Sequence, residues 1–393
     1  MDQGQIGSCD WFAAVYYQMT FLHNQQNRQP ADPTNTFSPQ FGYNILNNAG
    51  SFPYNIRVDD VYKFVHKHGC ATLSDFPYDQ NYLPWCTDPS VWQRALSSRI
   101  AGYQFFTCRG ESPGADYSFE RDDDFFREIK RLLSEGEILV IQSETYAAKF
   151  ALLADDPTTR EDDAFAGESI ITEGKNGPEH TVALVGYHDH LWIDLNKDGK
   201  VQPDEKGALK IADSQGIAAP NHNDGFMWLA YSAVGSSIFQ NRVNRMFIRR
   251  DYSPKVLGKI VLTAAERDKI RFQFGRSAQT RESAAADSPL VFDPYGLGYA
   301  VGTAGVSLIV GGNVAFDGGK APADAGFVFD LSDIAAENSG DHWFLRIENS
   351  GNQPVVLKEF SLMNAENGCL VKDHNLPCTL VHQEIYRFLK ADF

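Results

Sequence analysis

A single thiol at the mouth of a helix is the first feature with chemical potential. The stretch Gln3-Gly4-Gln5-Ile6-Gly7-Ser8-Cys9-Asp10-Trp11-Phe12-Ala13-Ala14 delivers Cys9 from a glycine-rich turn straight into an apolar, helix-compatible run. A cysteine so placed meets the unsatisfied amides and the positive dipole end of the helix, and both favour the thiolate. Gln3, on the same tight loop, is close enough to offer its side-chain amide to an oxyanion beside the sulfur. An imidazole would complete the chemistry. It takes the thiol proton, protonates a departing amine and then activates water. His180, at the entrance of the apolar strand-like run Thr181–Tyr187, is the candidate base.

A second constellation is built for a cation. Asp194-Leu195-Asn196-Lys197-Asp198-Gly199-Lys200-Val201-Gln202-Pro203-Asp204-Glu205 fits the calcium-loop pattern D-x-N-x-D-G-x5-E throughout. The expected Ca²⁺ ligands are Asp194, Asn196, Asp198, the carbonyl of Lys200, Gln202 and Glu205. The flanks read as strands, so the loop is expected to join two strands rather than two helices. Just upstream, His188 and His190 share a strand face, but the sequence brings no third ligand beside them for zinc. No organic cofactor is implied.

Several phrases, in the same order along the chain, resemble papain-like cysteine peptidases. The Cys9 segment is similar to the pattern Gln-Gly-x-Cys-Gly-Ser-Cys-Trp-x-Phe, with Ile6 in place of a structural cysteine and Asp10 in place of tryptophan. Ser38-Pro39-Gln40-Phe41 is similar to a phrase of bacterial members. Asn47–Ser51 resembles the Gly-Gly segment whose backbone pairs with substrate, which makes Gly50 and Ser51 the implied substrate-binding residues. Gly69–Thr72 and Phe76-Pro77-Tyr78 resemble a connecting phrase. Glu179–Tyr187 resembles the histidine strand, and Gly207–Gly216 the segment whose asparagine orients the histidine. Asp213 falls on that asparagine, and Gln215 on the tryptophan that shields it. Gly225–Tyr231 resumes the pattern.

The resemblance covers about residues 1–250. It implies an α+β fold with a two-lobed peptidase domain, residues 1–253, made of a helical lobe and a β-barrel lobe. The implied roles are Cys9 as nucleophile, His180 as acid and base, Asp213 as its orienter and Gln3 in the oxyanion hole. The implied activity is cysteine endopeptidase, acting on a peptide or protein substrate through an acyl-enzyme. A secreted or extracytoplasmic setting is also implied, although the chain opens on polar residues with no signal peptide. The rival reading is a binding protein on a decayed peptidase scaffold. A transferase using the same Cys and His is a third.

The elements that must position these groups are legible in outline. Residues 10–24 read as a helix with Trp11, Phe12, Val15, Tyr16, Met19 and Leu22 near helical spacing. Ser38 and Pro39 open a second helix, Val58–His68 is a third, and 122–134 a fourth with an acidic first turn. Glu137–Ile141 reads as a strand and 151–178 as an inserted loop. After residue 253 the texture turns to short β-type runs between glycine-rich turns: Lys259–Leu262, Ile270–Phe274, Leu290–Phe292, Val306–Val310, Gly326–Leu331, Trp343–Glu348 and Val355–Leu362. Residues 254–393 are therefore expected to form an all-β sandwich or jelly-roll domain, whose partner could be a glycan, a cell surface or the peptidase domain itself.

Bulk properties bound these readings. The 393 residues suffice for two domains, and a hydrophobic content of 43% supports a sizeable core. A net charge of −16 argues against nucleic acid and anionic membranes as partners. No run approaches the roughly 18 apolar residues of a membrane span. With Cys9 a free nucleophile, the other five cysteines allow at most two disulfides, and Cys369 and Cys378 flank a short segment that a bridge could close.

Overall fold

The structure is a computed structural model. It describes the chain apart from residues 48, 50–55, 108–123, 144–147, 175–179, 218–220, 235–238, 281, 283–290, 293–311 and 337–339. The fold is mixed α and β. Two compact units emerge, Met1–Asn35 with Gly102–Ile248, and Thr36–Ala101 with Arg249–Phe393. These do not coincide with the expected division at residue 253.

In the first unit, helical segments Cys9–Trp11, Phe12–Met19 and Thr20–Asn27 run on end to end, the middle one wound as a π-helix. That winding takes more residues per turn than an α-helix and shifts which side chains face inward. Ala13, Ala14 and Gln18 are buried along with Trp11, Phe12, Val15 and Met19, whereas Tyr16 and Leu22 are only half-buried.

Among the described residues eight strands form one sheet: β1 Ile100–Phe106, β2 Leu139–Ser143, β3 Lys149–Leu152, β4 Ser169–Glu173, β5 His180–Trp192, β6 Lys206–Ala212, β7 Phe226–Ala230 and β8 Phe239–Ile248. Their order is β1-β8-β2-β5-β6-β7-β4-β3, with β4 and β7 parallel. Side chains alternate across the sheet. Val182 and Leu184 join the core under the amphipathic helix Asp124–Ser134, which contributes Phe125, Phe126, Ile129, Leu132 and Leu133. Ala183 and Ala212 face the other way and meet Tyr17 of the Cys9 helix, where small residues let the helix come close. Buried Gln18 pins that helix, donating to the carbonyls of Ile138 at 2.7 Å and Asn244 at 3.3 Å. The 151–178 loop is partly structured, since β4 lies within it.

Among the described residues the second unit has nine further strands: β9 Val256–Ala264, β10 Ile270–Ser277, β11 Val291–Phe292, β12 Ala323–Asp330, β13 His342–Asn349, β14 Val355–Asn364, β15 Leu370–Lys372, β16 Cys378–Leu380 and β17 Gln383–Lys390. They form antiparallel sheets ordered β11-β10-β13-β17 and β12-β9-β14-β15, with β16 also on β14. The sheets meet through phenylalanines: Phe272 and Phe274 of β10 lie 5.4 and 5.5 Å, ring to ring, from Phe329 of β12. The expected Val306–Val310 strand and the start of Leu290–Phe292 lie outside the described residues. Strands β15 to β17 had no counterpart in the sequence reading.

Residues 36–101 complete this unit. Helices Pro39–Leu46, Val58–His68 and Pro89–Ala95 bring Trp92 to 5.4 Å from Phe327 and His68 to 6.0 Å from Phe329. Gly326 permits the approach, because a Cβ there would lie 2.8 Å from Pro89. Arg99 forms a buried ion pair with Asp330. Cys369 and Cys378 are free thiols, so the bridge left open by their spacing is not formed. Asn364 N–H donates to the carbonyl of Cys369, while Cys378 pairs with Leu357, seven residues away along β14. That separation is about 23 Å, far beyond the span of a disulfide.

Phe327→Ala is expected to cost about 3–5 kcal/mol. The helices of 36–101 and the β-sheets should still lose structure in one transition. Denaturant unfolding read by tryptophan fluorescence and by far-ultraviolet circular dichroism checks this; separate midpoints would contradict a shared core.

Candidate active site

All four residues singled out for thiol chemistry lie in the first unit. Gly4, at φ 66°, turns the N-terminal loop in a conformation that suits glycine. The loop then runs against the segment after β6. Gln3 N–H donates to the Ser214 carbonyl at 2.7 Å, Asp2 bridges Gln215, and the Ser214 hydroxyl donates to Gln3 Oε1. That last bond fixes which way the Gln3 amide faces. Its Nε2 donates to the Ile6 carbonyl at 3.1 Å, so the amide is turned into its own loop. Ile6, at the position of the structural cysteine, is buried as ordinary core.

Cys9 is the first helical residue and is half-buried. The next residue, Asp10, accepts a hydrogen bond from the Thr181 hydroxyl at 2.6 Å. This bond ties the start of the helix to the residue following His180. It is the structural use of a carboxylate where the resembling pattern has tryptophan.

His180 opens β5 and is 1% exposed. Its Nε2–H donates to Asp213 Oδ1 at 2.7 Å, and the Cys9 thiol is near enough to raise the imidazole's pKa. Nδ1 is therefore the nitrogen left for the thiol. Burial alone would lower the histidine's pKa. The hydrogen bond to Asp213 and the nearness of Cys9, with their charges, outweigh it and hold the pKa well above its usual value.

Asp213 is buried, and that raises its pKa; hydrogen bonds and charge from His180 and from a second imidazole more than reverse this and hold it far below the usual carboxylate range. The second imidazole is His222, whose Nε2 lies 3.2 Å from Asp213 Oδ2 and whose side chain is 2% exposed. Gln215 N–H reaches Oδ1 at 3.2 Å, and the Tyr17 hydroxyl donates to the Asp213 backbone carbonyl at 2.8 Å. Sequence reading did not single out His222. It is the lone histidine of the polar stretch 217–224, between the two resembling phrases, and that was the available signal. Next to it, the Asn223 side chain exchanges two 2.9 Å hydrogen bonds with the Ser169 backbone.

Gly50 and Ser51 lie outside the described residues. The 194–205 segment does join two strands, β5 and β6. Asp194 accepts the N–H groups of Asp198 and Gly199, both at 3.0 Å, and Asn196 Oδ1 accepts the same Asp198 N–H at 2.8 Å. Asp198 receives Lys200 N–H at 2.8 Å and the Gln202 amide at 2.9 Å. The first half of the loop thus curls its oxygens inward. Glu205 is buried and occupied: Oε1 accepts Leu195 and Asn196 N–H at 2.9 and 3.2 Å, and Oε2 accepts Trp192 Nε1–H at 3.3 Å. His190 pairs with Glu161 at 2.8 Å, and no third ligand joins it and His188 among the described residues.

No protein-family model and no curated protein matches the chain. Solved structures are similar to it over about 63% of its length. One is that of the mite allergens Blo t 1 and Der p 1, at 18% identity, TM-score 0.39 and 66% of that chain. Another is a digestive procathepsin L2 proteinase from Tenebrio molitor larval midgut, at 16% identity, TM-score 0.39 and 63% of that chain. A third is the bromelain protease from Ananas comosus in complex with the E64 inhibitor, at 14% identity, TM-score 0.40 and 92% of that chain. The chain spans just under two thirds of the first two. A likeness this loose says what the chain is similar to and nothing about its chemistry.

The imidazolium of His180 is expected to persist above pH 6.5, the ordinary histidine value. Because its folded pKa is raised, its contribution to stability is complete below that value and is lost as pH rises through the folded pKa. Asp213→Asn should lower the His180 pKa, and His222→Ala should move it too by altering the charge Asp213 presents. Nitrogen-15 chemical shifts of the ring across pH read this directly. An unchanged titration in Asp213→Asn would refute the pairing.

Proposed function

We propose that the chain is a cysteine peptidase that hydrolyses peptide bonds through a Cys9–His180 thiolate–imidazolium pair. One observation carries this reading: a buried imidazole gives its Nε2–H to a buried carboxylate and keeps Nδ1 for a helix-start thiol near enough to raise its pKa. Cys9 gives its proton to His180, and Sγ attacks the scissile carbonyl carbon. The Gln3 amide, released from the Ile6 carbonyl, donates to the resulting oxyanion. Collapse breaks the C–N bond, and His180 protonates the leaving amine. Water then attacks the thioester while His180 takes its proton, releasing the acid and restoring the thiolate.

Asp213 keeps the imidazole in one tautomer and orientation, and its charge favours the imidazolium more than an asparagine would. His222 acts through Asp213 by occupying its second oxygen. It thereby does part of the shielding that Gln215 does not supply. Substrates are peptides or proteins. No helix among the described residues is long and apolar enough to cross a membrane. The β-strands of residues 254–393 serve as the apolar seat of the 36–101 helices, which is reason enough for their presence without a glycan ligand.

The 194–205 loop is proposed to take Ca²⁺. Asp194, Asn196 and Asp198 fit, since their oxygens already turn inward, and Lys200 and Gln202 follow in the expected positions. Glu205 fits only after giving up backbone N–H groups. A bound ion would supply rigidity to the β5–β6 connection.

Two experiments test these proposals. An epoxide probe for cysteine peptidases is expected to label Cys9 in the wild type and not in Cys9→Ala, with His180→Ala reducing the labelling rate by at least about 10³-fold. A folded protein that takes up no probe across pH 4–9 would overturn the peptidase reading and leave the binding-scaffold reading in its place. Calcium titration should change the Trp192 fluorescence as Glu205 leaves its indole N–H. The change should vanish in Trp192→Phe and in Asp194→Asn/Asp198→Asn.

A further inference from the structure

Away from the thiol site, the loop between β3 and β4 gathers three carboxylates. One oxygen each from Asp155, Asp162 and Asp163 lies within 4.8 Å of the other two. Exposed acidic groups often cluster with no consequence, but Asp162 is not exposed. It is 1% accessible; Asp156 N–H donates to its Oδ2 at 2.9 Å, and its Oδ1 is buried with no hydrogen-bond partner. A buried carboxylate with one oxygen undonated, set beside two further carboxylates, is a site that lacks its counter-charge.

The cations of this region do not supply that charge. Lys206 pairs with Asp156, and His190 with Glu161. Among the described residues no Lys, Arg or His forms an ion pair with Asp155, Asp162 or Asp163.

We propose that Asp155, Asp162 and Asp163 hold a Ca²⁺ ion, at a site separate from the 194–205 loop. The donor set is all oxygen and all anionic, which selects a hard divalent cation over zinc or copper. Oxygens within 4.8 Å of one another can be spanned by two Ca–O bonds of about 2.4 Å, and a loop offering three carboxylates and open to water suits the larger, more flexible Ca²⁺ shell better than the strict octahedron of Mg²⁺. Asp155 and Asp163 are exposed, so waters can complete the shell on the open side. The ion would satisfy Asp162 Oδ1 and fix the β3–β4 loop, which is already joined to the end of β5 by the Ala154 N–H to Trp192 carbonyl hydrogen bond at 3.0 Å.

Equilibrium dialysis of the full chain with radioactive Ca²⁺ tests the site. Asp155→Asn/Asp163→Asn changes exposed groups and should fold; it is expected to bind one equivalent fewer than the wild type. Asp194→Asn/Asp198→Asn reports the other loop separately and should retain the equivalent assigned here. Failure of the 194–205 proposal is thus distinguishable from failure of this one, and neither depends on peptidase activity. Unchanged stoichiometry and affinity in Asp155→Asn/Asp163→Asn would overturn the proposal. Thermal melting of Asp162→Asn gives a second reading. With chelator its Tm should equal or exceed that of the wild type, because an unpaired buried charge is gone, and its gain on adding Ca²⁺ should be smaller. A lower Tm in chelator together with an undiminished Ca²⁺ gain would mark Asp162 as a purely structural hydrogen-bond acceptor.

Discussion

A desolvated carboxylate that must never be left alone organises the first unit. Asp213 is almost wholly buried, and a carboxylate there without partners would cost several kcal/mol. The chain answers with the Nε2–H of His180, the side chain of His222 and the backbone N–H of Gln215. These donors come from the start of β5, the loop before β7 and the turn after β6. Tyr17 holds the Asp213 backbone from the Cys9 helix, and Ser214 holds Gln3. The same requirement that keeps Asp213 ionised therefore draws the imidazole, the helix and the N-terminal loop to one point. The chemistry proposed at Cys9 rests on that convergence, because the carboxylate that holds Nε2 of His180 makes the ring more basic and leaves Nδ1 for the thiol.

The helix that carries the thiol is positioned by a different set of forces. Its apolar face packs where the sheet offers Ala183 and Ala212, small enough for close approach. Packing alone leaves a helix free to slide or turn, and polar contacts remove that freedom. Gln18 spans two backbone carbonyls in the middle of the helix, and Asp10 takes the Thr181 hydroxyl at its start. Thr181 adjoins His180, so the Asp10 bond fixes the offset between thiol and imidazole more directly than any core contact. A tryptophan at position 10 could pack but could not accept that hydrogen bond.

What was legible in the sequence was what is encoded over short spans. The glycine turn before Cys9, the apolar run after His180, the strand-to-strand setting of 194–205 and most of the strands after residue 253 are local patterns. Three features were not local. The Cys9 helix winds as a π-helix over Phe12–Met19, so 3.6-residue spacing overstated Tyr16 and Leu22 and missed Gln18. His222 gains its meaning only when the chain folds back onto Asp213, nine residues earlier. Residues 36–101 find their core with Phe327 and Phe329, more than 200 residues downstream. Periodicity shows that Trp92 has an apolar side; it cannot show which aromatic rings will cover it.

The acidic loops stand at the other end of the strands from the His180–Asp213 pair, and this limits how a cation there could act. The seven residues of β6 lie between Glu205 and Asp213, a span of about 26 Å. A divalent charge at that distance amounts to about 1.3 kcal/mol at an effective dielectric of 20, and to roughly 0.05 kcal/mol after screening at physiological salt. That is too little to move the titration of His180 noticeably. A cation in either loop must work mechanically, through the register of β5 on β6. The register is already irregular between Leu184 and Gly186 and again between His188 and Trp192. An ion fixing the far end of this hairpin would restrict slippage along strands whose near ends carry His180 and lead into Asp213. Its effect would therefore fall on how precisely the pair is held, and not on the charge of either member.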